Sequence, residues 1–547
     1  MKYFASALVA GYVAAKKFTE IGYIAPKAEH VWYHVETELK QIPKEDLPKN
    51  WDWGNVNGIN YLTQMRQQHL PNWCGSCWAH AATSALSDRI KIARKAAWPD
   101  INIAPQVLVS CEQKDEGCNG GSALNSYQFI YENYITDETC SIYQGRGWTN
   151  GLGCSPMSFC RDCSPGQACF IPEKYRTYTV SEFGRIDGEL AVMNELYQRG
   201  PVACNIATPE PFHEYTDGIF CDETGDQQTT HVVSIVGWGE EDGRPYWRVR
   251  NSWGTHWGDN GFFKVCRGNN NINIETNCIW GVPVDTWTHP EEHMHHTTQE
   301  EQDDPRNDKT VYEFPQPEFY DDNSAGFLQV KPLGRVPKAT FTNGEKNKSG
   351  ASWDAVGDLP KIVDWRNMDG RNYLGWSKNQ HVPRYCGSCW AHAVTSALAD
   401  RFNIKEGLKN DTPYDFSPQV LVNCMMGGSC DGGDPAAAYE WAYNTGFVHS
   451  SCEQYTATNL IDRQCHTIDV CRDCVPPAPA PGEDALENCT SVPAIKYYVS
   501  DYYHVRGVDQ MKADLVVHGP ISCGIMATPS FHKYQGGIYS EVLGDDA

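Results

Sequence analysis

Apolar residues recur at helical spacing from Trp78 to Ile90, in an alanine-rich stretch without glycine or proline, so the pattern predicts a helix that begins at Cys77. Farther along, His231 to Val236 and Tyr246 to Arg250 are β-branched and aromatic and are bounded by glycine or proline, which is the composition of strands. The chain therefore reads as α+β, a helical part followed by a sheet-rich part. Two polar stretches interrupt the periodicity, residues 16–46 and residues 286–356. The second holds His293-Met294-His295-His296 and an acidic run from Glu300 to Asp304, among scattered proline, glycine and lysine. Such composition buries little apolar surface and predicts a linker, in which the histidines read as solvated side chains rather than metal ligands.

The whole pattern occurs twice. Gln68 to His80 and Gln380 to His392 match at ten of thirteen positions, with Cys77 and Cys389 312 residues apart. Leu47-Pro48-Lys49 recurs as Leu359-Pro360-Lys361, Pro105 to Val109 as Pro418 to Val422, and Cys160-Arg161-Asp162-Cys163 as Cys471 to Cys474. Gly200-Pro201 recurs as Gly519-Pro520. A period this long marks a duplicated domain rather than a solenoid. The predicted units are residues 47–285 and 357–547, and 547 residues leave room for two cores of that size.

Charge and cysteine content narrow the functional classes. With 45 Lys and Arg against 69 Asp and Glu the formal charge is −24, which offers no basic face to nucleic acid or an anionic membrane. Residues 1–15 read as a signal peptide: Met1-Lys2, an apolar run from Tyr3, and small residues at Val13 and Ala15. That run is too short to span a bilayer core of about 30 Å, and no later run reaches the ~18 apolar residues required. Residues 16–46 then read as a short propeptide. Twenty-three cysteines behind a signal peptide point to an oxidising compartment, lysosomal or extracellular, and to a disulfide framework. Acceptor triplets for N-glycosylation begin at Asn347, Asn410 and Asn488. Oligomeric state is not legible.

A cysteine attacks only as thiolate, so a catalytic one needs a helix N-terminus and a nearby imidazolium to lower its pKa. Cys77 has the predicted helix. His231 opens a strand-like segment, and Asn251 follows in Asn251-Ser252-Trp253-Gly254, where an amide can orient the ring. Gln68, Cys77-Trp78, Cys118-Asn119-Gly120-Gly121, His231 and Asn251 to Gly254, in this order, resemble the papain family of cysteine peptidases over residues 47–284. The resemblance implies a papain-like two-subdomain fold, with a helical half that carries the cysteine and a β-barrel-like half. It also implies Cys77 as nucleophile, His231 as general base and acid, Asn251 as orienter, and Gln68 with the Cys77 amide as oxyanion hole. Gly120, Gly121 and Trp253 would line the substrate cleft, and no cofactor is needed. A redox role for the Cys74-x-x-Cys77 pair is the competing interpretation.

Eight residues separate Gln68 from Cys77, where ordinary members of the family have five. The insertion, with His69-Leu70-Pro71, resembles the cathepsin Z (cathepsin X) group, as do Trp51-Asp52-Trp53, Asp137 to Cys140 and the short propeptide. In that group the inserted loop closes the primed side of the cleft, and its histidine holds the substrate's terminal carboxylate. His69 therefore implies a carboxypeptidase acting on peptides with a free C-terminus, with an endopeptidase as the alternative. The group's propeptide often masks the nucleophile with a cysteine. None lies between Lys16 and Trp73, so latency here would be steric.

The resemblance further implies bridges Cys74–Cys118, Cys111–Cys140 and Cys204–Cys278, and two bridges among Cys154, Cys160, Cys163 and Cys169. Cys221 and Cys266 are left to pair, and Cys77 stays free. In the second unit it implies Cys386–Cys430, Cys424–Cys452 and two bridges among Cys465, Cys471, Cys474 and Cys489, leaving Cys389 and Cys523. Zinc ligation by the Cys-x-x-Cys pairs is the competing interpretation. Gln380, His381 and Cys389 repeat the first site, but the expected second histidine falls at about position 550. The second unit thus reads as an incomplete copy whose chain continues past Ala547, or else as a non-catalytic binding module.

Overall fold

The computed structural model describes residues 22–311 and 359–541, apart from 409–412, 425–427, 461–464 and 478–487. The expected signal peptide, the linker from residue 312 onward, and Asn347 and Asn410 lie outside the described residues.

The strands of the first unit are β1 (Trp51–Asp52), β2 (Lys174–Arg176), β3 (Val180–Ile186), β4 (Val202–Ala207), β5 (Ile219–Phe220), β6 (Thr229–Glu241), β7 (Arg244–Arg250), β8 (Phe262–Cys266), β9 (Cys278–Pro283) and β10 (Met294–His296). One sheet runs β3-β9-β4-β6-β7-β8-β5, with β1 added to β6. β6 is buried continuously from His231 to Gly239, so its sequence shows an apolar run rather than an alternation.

Its helices are α1 (Cys77–Ala93), α2 (Pro105–Cys111), α3 (Ala123–Glu132), α4 (Pro156–Phe159), α5 (Glu189–Arg199), α6 (Glu210–His213) and α7 (Gln299–Asp303). α1 is buried from Cys77 to Lys91 and lies against α3 and strands β4, β6 and β9. Trp78, Leu86 and Ile90 share one core with Tyr127, Phe183 and Val232. Trp238, Trp247 and Phe263 belong to a second core inside the sheet. Buried charges tie α1 to the sheet half. Arg89 donates to the carbonyls of Pro201, Gly200 and Gly281 and to Glu195 at 2.8 Å, and Asp88 meets Arg250 at 3.1 Å. Charges survive burial only when paired and hydrogen-bonded in this way.

Residues 286–311, assigned by composition to a linker, fold back on the first unit. β10 pairs antiparallel with β2, and α7 is capped by Thr298, whose Oγ1 accepts from Glu301 N–H. His295 packs on Tyr134 and Tyr175 and lies 3.0 Å from Glu301. Backbone pairing and aromatic neighbours thus hold a segment with little apolar surface of its own.

The described part of the second unit repeats the helical half: α8 (Cys389–Glu406), α9 (Pro418–Cys424), α10 (Pro435–Asn444) and α11 (Val508–His518). Two short ribbons join β11 (Gly428–Ser429) to β12 (Gly432–Gly433) and β13 (Arg472–Cys474) to β14 (Cys489–Ser491). Residues 521–527, the counterpart of β4, form no strand, and Ile525 and Met526 are 67% and 60% exposed. Among the described residues no second large sheet is present to pair them.

Cys74–Cys118, Cys204–Cys278, Cys221–Cys266 and Cys386–Cys430 pair as expected. Cys111–Cys140 and Cys424–Cys452 do not form. Cys111 joins Cys154, Cys140 joins Cys160, and Cys163 joins Cys169; the second unit repeats this with Cys424–Cys465, Cys452–Cys471 and Cys474–Cys489. The cause is local backbone docking. Arg161 N–H donates to the Cys140 carbonyl and Ser141 Oγ to the Ser158 carbonyl, which sets Cys140 beside Cys160 with Cα atoms 4.3 Å apart. Cys111, at the end of α2, is left to Cys154 at 4.7 Å. Among the described residues, Cys77, Cys389 and Cys523 take no part in a disulfide.

Candidate active site

β6 and β7 are antiparallel with Ser234 opposite Arg250, so His231 and Asn251 reach the same edge of the sheet. His231 Nε2 lies 2.8 Å from Asn251 Oδ1. An amide oxygen only accepts, so this bond puts a proton on Nε2 and leaves Nδ1 as the basic nitrogen of the neutral ring. Ser252 N–H also donates to Asn251 Oδ1 at 2.8 Å, and Trp253 covers the His231 ring at 4.9 Å between centroids.

Cys77 is the first residue of α1, where the unsatisfied N–H groups and the helix dipole favour negative charge. The loop before it is held by the Cys74–Cys118 bridge and by Gly75 N–H donating to the Cys118 carbonyl at 2.7 Å. Gln68 is fixed at both ends of its amide: Nε2 donates to the Cys74 carbonyl at 3.2 Å, and Oε1 accepts from Ser252 Oγ at 2.7 Å. Tyr143 OH donates to the Gln68 carbonyl at 2.7 Å and pairs with Ser76 Oγ at 2.6 Å. One hydrogen-bonded network therefore connects Gln68, the loop before Cys77, Ser252 and Asn251.

Gly121 packs on Trp78 so closely that a Cβ would lie 2.6 Å from the indole. Its backbone pairs with residues from the polar N-terminal stretch. Gly121 N–H donates to the Gly22 carbonyl at 3.1 Å, Ile24 N–H donates to the Gly121 carbonyl at 2.9 Å, and the N–H groups of Gly22 and Tyr23 reach the Thr230 carbonyl. Ile24 lies over Gly120. This segment thus bridges the helical half to the residue before His231, and Cys77 is buried whereas Cys389 is exposed.

His69 lies between the rings of Trp73 and Trp253, with centroids 6.4 and 6.3 Å away. Its Nδ1 is 3.1 Å from Oδ1 of Asp473, a residue of the second unit. The same Oδ1 accepts from Gln67 Nε2 at 3.1 Å, and Oδ2 lies 3.8 Å from His256 Nε2. Burial pushes the Asp473 carboxyl up, but the nearby His256 ring and the hydrogen bond to His69 outweigh it and hold the group well below the usual carboxylate range. No sequence signal singled out Gln67 or His256, whose roles depend on the turn after Trp253 and on a residue of the second unit, Asp473.

The second unit reproduces the helical side of the site. Gln380 Nε2 donates to the Cys386 carbonyl at 3.2 Å, and Tyr455 OH donates to the Gln380 carbonyl at 2.7 Å. Lost hydration pushes the Cys389 thiol up, offset only in part by the N–H groups of Trp390 and Cys389, and among the described residues no imidazole acts on it.

Comparison with known proteins shows the family. A family model described as papain family cysteine protease matches residues 47–282 and again 359–546. Cathepsin Z of Onchocerca volvulus is 39% identical over 264 residues, 47% of this chain and 84% of that protein. Cathepsin B-like cysteine proteinase 4 of Caenorhabditis elegans is 29% identical over 297 residues, 49% of this chain and 84% of that protein. Among solved structures, digestive procathepsin L2 proteinase from the Tenebrio molitor larval midgut is 27% identical, covering 43% of this chain and 68% of its own, with a TM-score of 0.36.

Proposed function

Since the chain belongs to the papain family of cysteine proteases, we propose that its first unit is a carboxypeptidase working through Cys77 and His231. The Cys77 thiolate attacks the carbonyl carbon of the terminal peptide bond, and the carbonyl oxygen takes the charge. The Gln68 side-chain amide and the Cys77 N–H stabilise that oxyanion. His231, oriented by Asn251, protonates the departing amine, then takes a proton from the water that hydrolyses the thioester. Gly120, Gly121 and Trp253 line the cleft, and no metal or organic cofactor enters these steps.

The observation that carries the carboxypeptidase reading is the carboxylate seated on His69, 3.1 Å from Nδ1, in the insertion beside Gln68. A protonated imidazole at this point favours a chain end over an internal peptide bond, which has no charge to offer. The direct test is an assay of the first unit at acid pH under reducing conditions, on matched free-acid and amidated peptides. Preference for the free acid is expected, and its loss in His69→Ala. Equal cleavage of both peptides by the unaltered enzyme overturns the reading and leaves an endopeptidase.

Residues 22–24 support a steric latency, since they fill the cleft beside Gly121 without any cysteine. The disulfide-rich chain fits a secreted or lysosomal enzyme. Among the described residues no imidazole acts on Cys389, so we assign turnover in this form of the chain to Cys77.

A further inference from the structure

We propose that Asp473 occupies, within the same chain, the seat that receives the substrate's terminal carboxylate, and that Gln67 and His256 form this seat together with His69. The inference rests on the carboxypeptidase reading and adds residues and an internal competitor to it.

The occupant is built for the position. Asp473 lies in the Cys471-Arg472-Asp473-Cys474 strand, and disulfides at Cys471 and Cys474 brace it. Its Oδ1 also accepts from Cys474 N–H at 3.0 Å, which fixes the side chain. The strand reaches the first unit through packing of the Cys474–Cys489 bridge on Leu70 and Trp73, with Cys474 Sγ 3.7 Å from the Pro71 carbonyl.

The reverse contact is also present. Asp162, the first unit's equivalent of Asp473, lies 3.8 Å from Nδ1 of His381, and the Cys163 and Cys169 sulfurs lie 3.7 and 3.9 Å from the Pro383 carbonyl. Each unit thus presents its acidic, disulfide-braced segment to the other's inserted His-x-Pro loop, an isologous exchange between two copies of one domain.

The seat in the first unit is approached from two sides. One carboxylate oxygen faces His69 and Gln67, and the other faces His256, which follows the Asn251 to Gly254 turn. Among the described residues the second unit has no equivalent of that turn. Gln67 donating to one oxygen beside His69, with the His256 ring 3.8 Å from the other, favours a carboxylate, whose two oxygens both accept, over a terminal carboxamide. A seat already filled lowers the apparent affinity for substrate in proportion to the fraction of chains in which it is empty.

The test uses the chain from Leu47 onward, which lacks residues 22–24 and keeps both units, carrying Cys77→Ala and titrated calorimetrically with N-acetyl-dialanine as free acid and as amide. With Asp473→Ala added, the acid should bind about tenfold tighter, with amide binding unchanged, as expected for freeing one charge-assisted site. Asp473→Asn, which keeps the shape of the turn, should shift in the same direction by less. Adding His256→Ala to Asp473→Ala should then cost the acid about tenfold. Acid binding that stays the same or weakens in both Asp473 variants overturns the internal occupant. Acid binding indifferent to His256→Ala removes that residue from the seat. Acid and amide binding alike in every variant overturns instead the carboxypeptidase reading on which the inference rests.

Discussion

Arg250 stands 3.1 Å from Asp88 inside the first unit, and this pair joins the sheet to the helix that begins at Cys77. The equivalent of Asp88 in the second unit is Asp400, which accepts from Gly375 N–H at 2.8 Å and has no such guanidinium among the described residues. Burial raises the Asp400 pKa to about 7, with Gly375 N–H and Lys378 opposing. A carboxyl raised above its unfolded value favours the folded state when protonated, and that contribution is lost as pH rises from about 4 to 7.

Asp400→Asn should remove this loss. Thermal melting of the variant and the parent should coincide at about pH 4, and the variant should melt a few degrees higher at pH 8. Curves that remain parallel across the range would show that Asp400 does not carry the effect.

The 2.8 Å bond between His231 and Asn251 selects the tautomer that leaves Nδ1 basic. Asn251→Ala should therefore lower kcat by about 10- to 100-fold with KM little changed. A rise in KM at constant kcat would instead place Asn251 in substrate binding. Steady-state kinetics on one free-acid peptide separates the two.

Only Cys77 is assigned turnover, so Cys77→Ala should abolish hydrolysis, whereas Cys389→Ala should leave kcat/KM within about twofold, as for a substitution away from the chemistry. Active-site titration with an irreversible thiol-directed peptide inhibitor checks this. Incorporation of two equivalents into the unaltered chain would mean that both cysteines are activated.

Residues 22–24 pair with the backbone of Gly121 and with the Thr230 carbonyl, and in the proposed latency they cover the cleft. A chain that begins at Leu47 should react with iodoacetamide at Cys77 at least about tenfold faster than the chain that retains them, because access limits a buried thiol. Equal rates, followed by peptide mapping of the modified residue, would exclude steric masking by this segment.

Much of the site was legible along the chain. A cysteine at a helix start, a histidine in an apolar strand and an asparagine just past the next strand each leave a local signature, and a duplicated stretch announces itself by comparison with its own copy. Disulfide partners were less legible: Cys111 bonds Cys154 because Arg161 and Ser141 dock Cys140 beside Cys160, an effect of backbone hydrogen bonds between segments. Residues 294–303 read as linker because their composition lacks apolar surface, yet pairing with β2 and the Tyr134–Tyr175 pocket for His295 holds them to the first unit.

The order of residues was enough to establish the family chemistry, the repeated unit and the charged ring of His69 as a candidate anchor, since these depend on side-chain type and on spacing within one or two elements. Three-dimensional packing alone decided what meets that anchor. Asp473 comes within 3.1 Å of His69 because each unit's disulfide-braced segment packs on the other's inserted loop, and His256 joins them because the Asn251 turn closes beside Trp253. Contacts between residues about 400 positions apart are set by complementary surfaces and donor geometry, which no local pattern encodes.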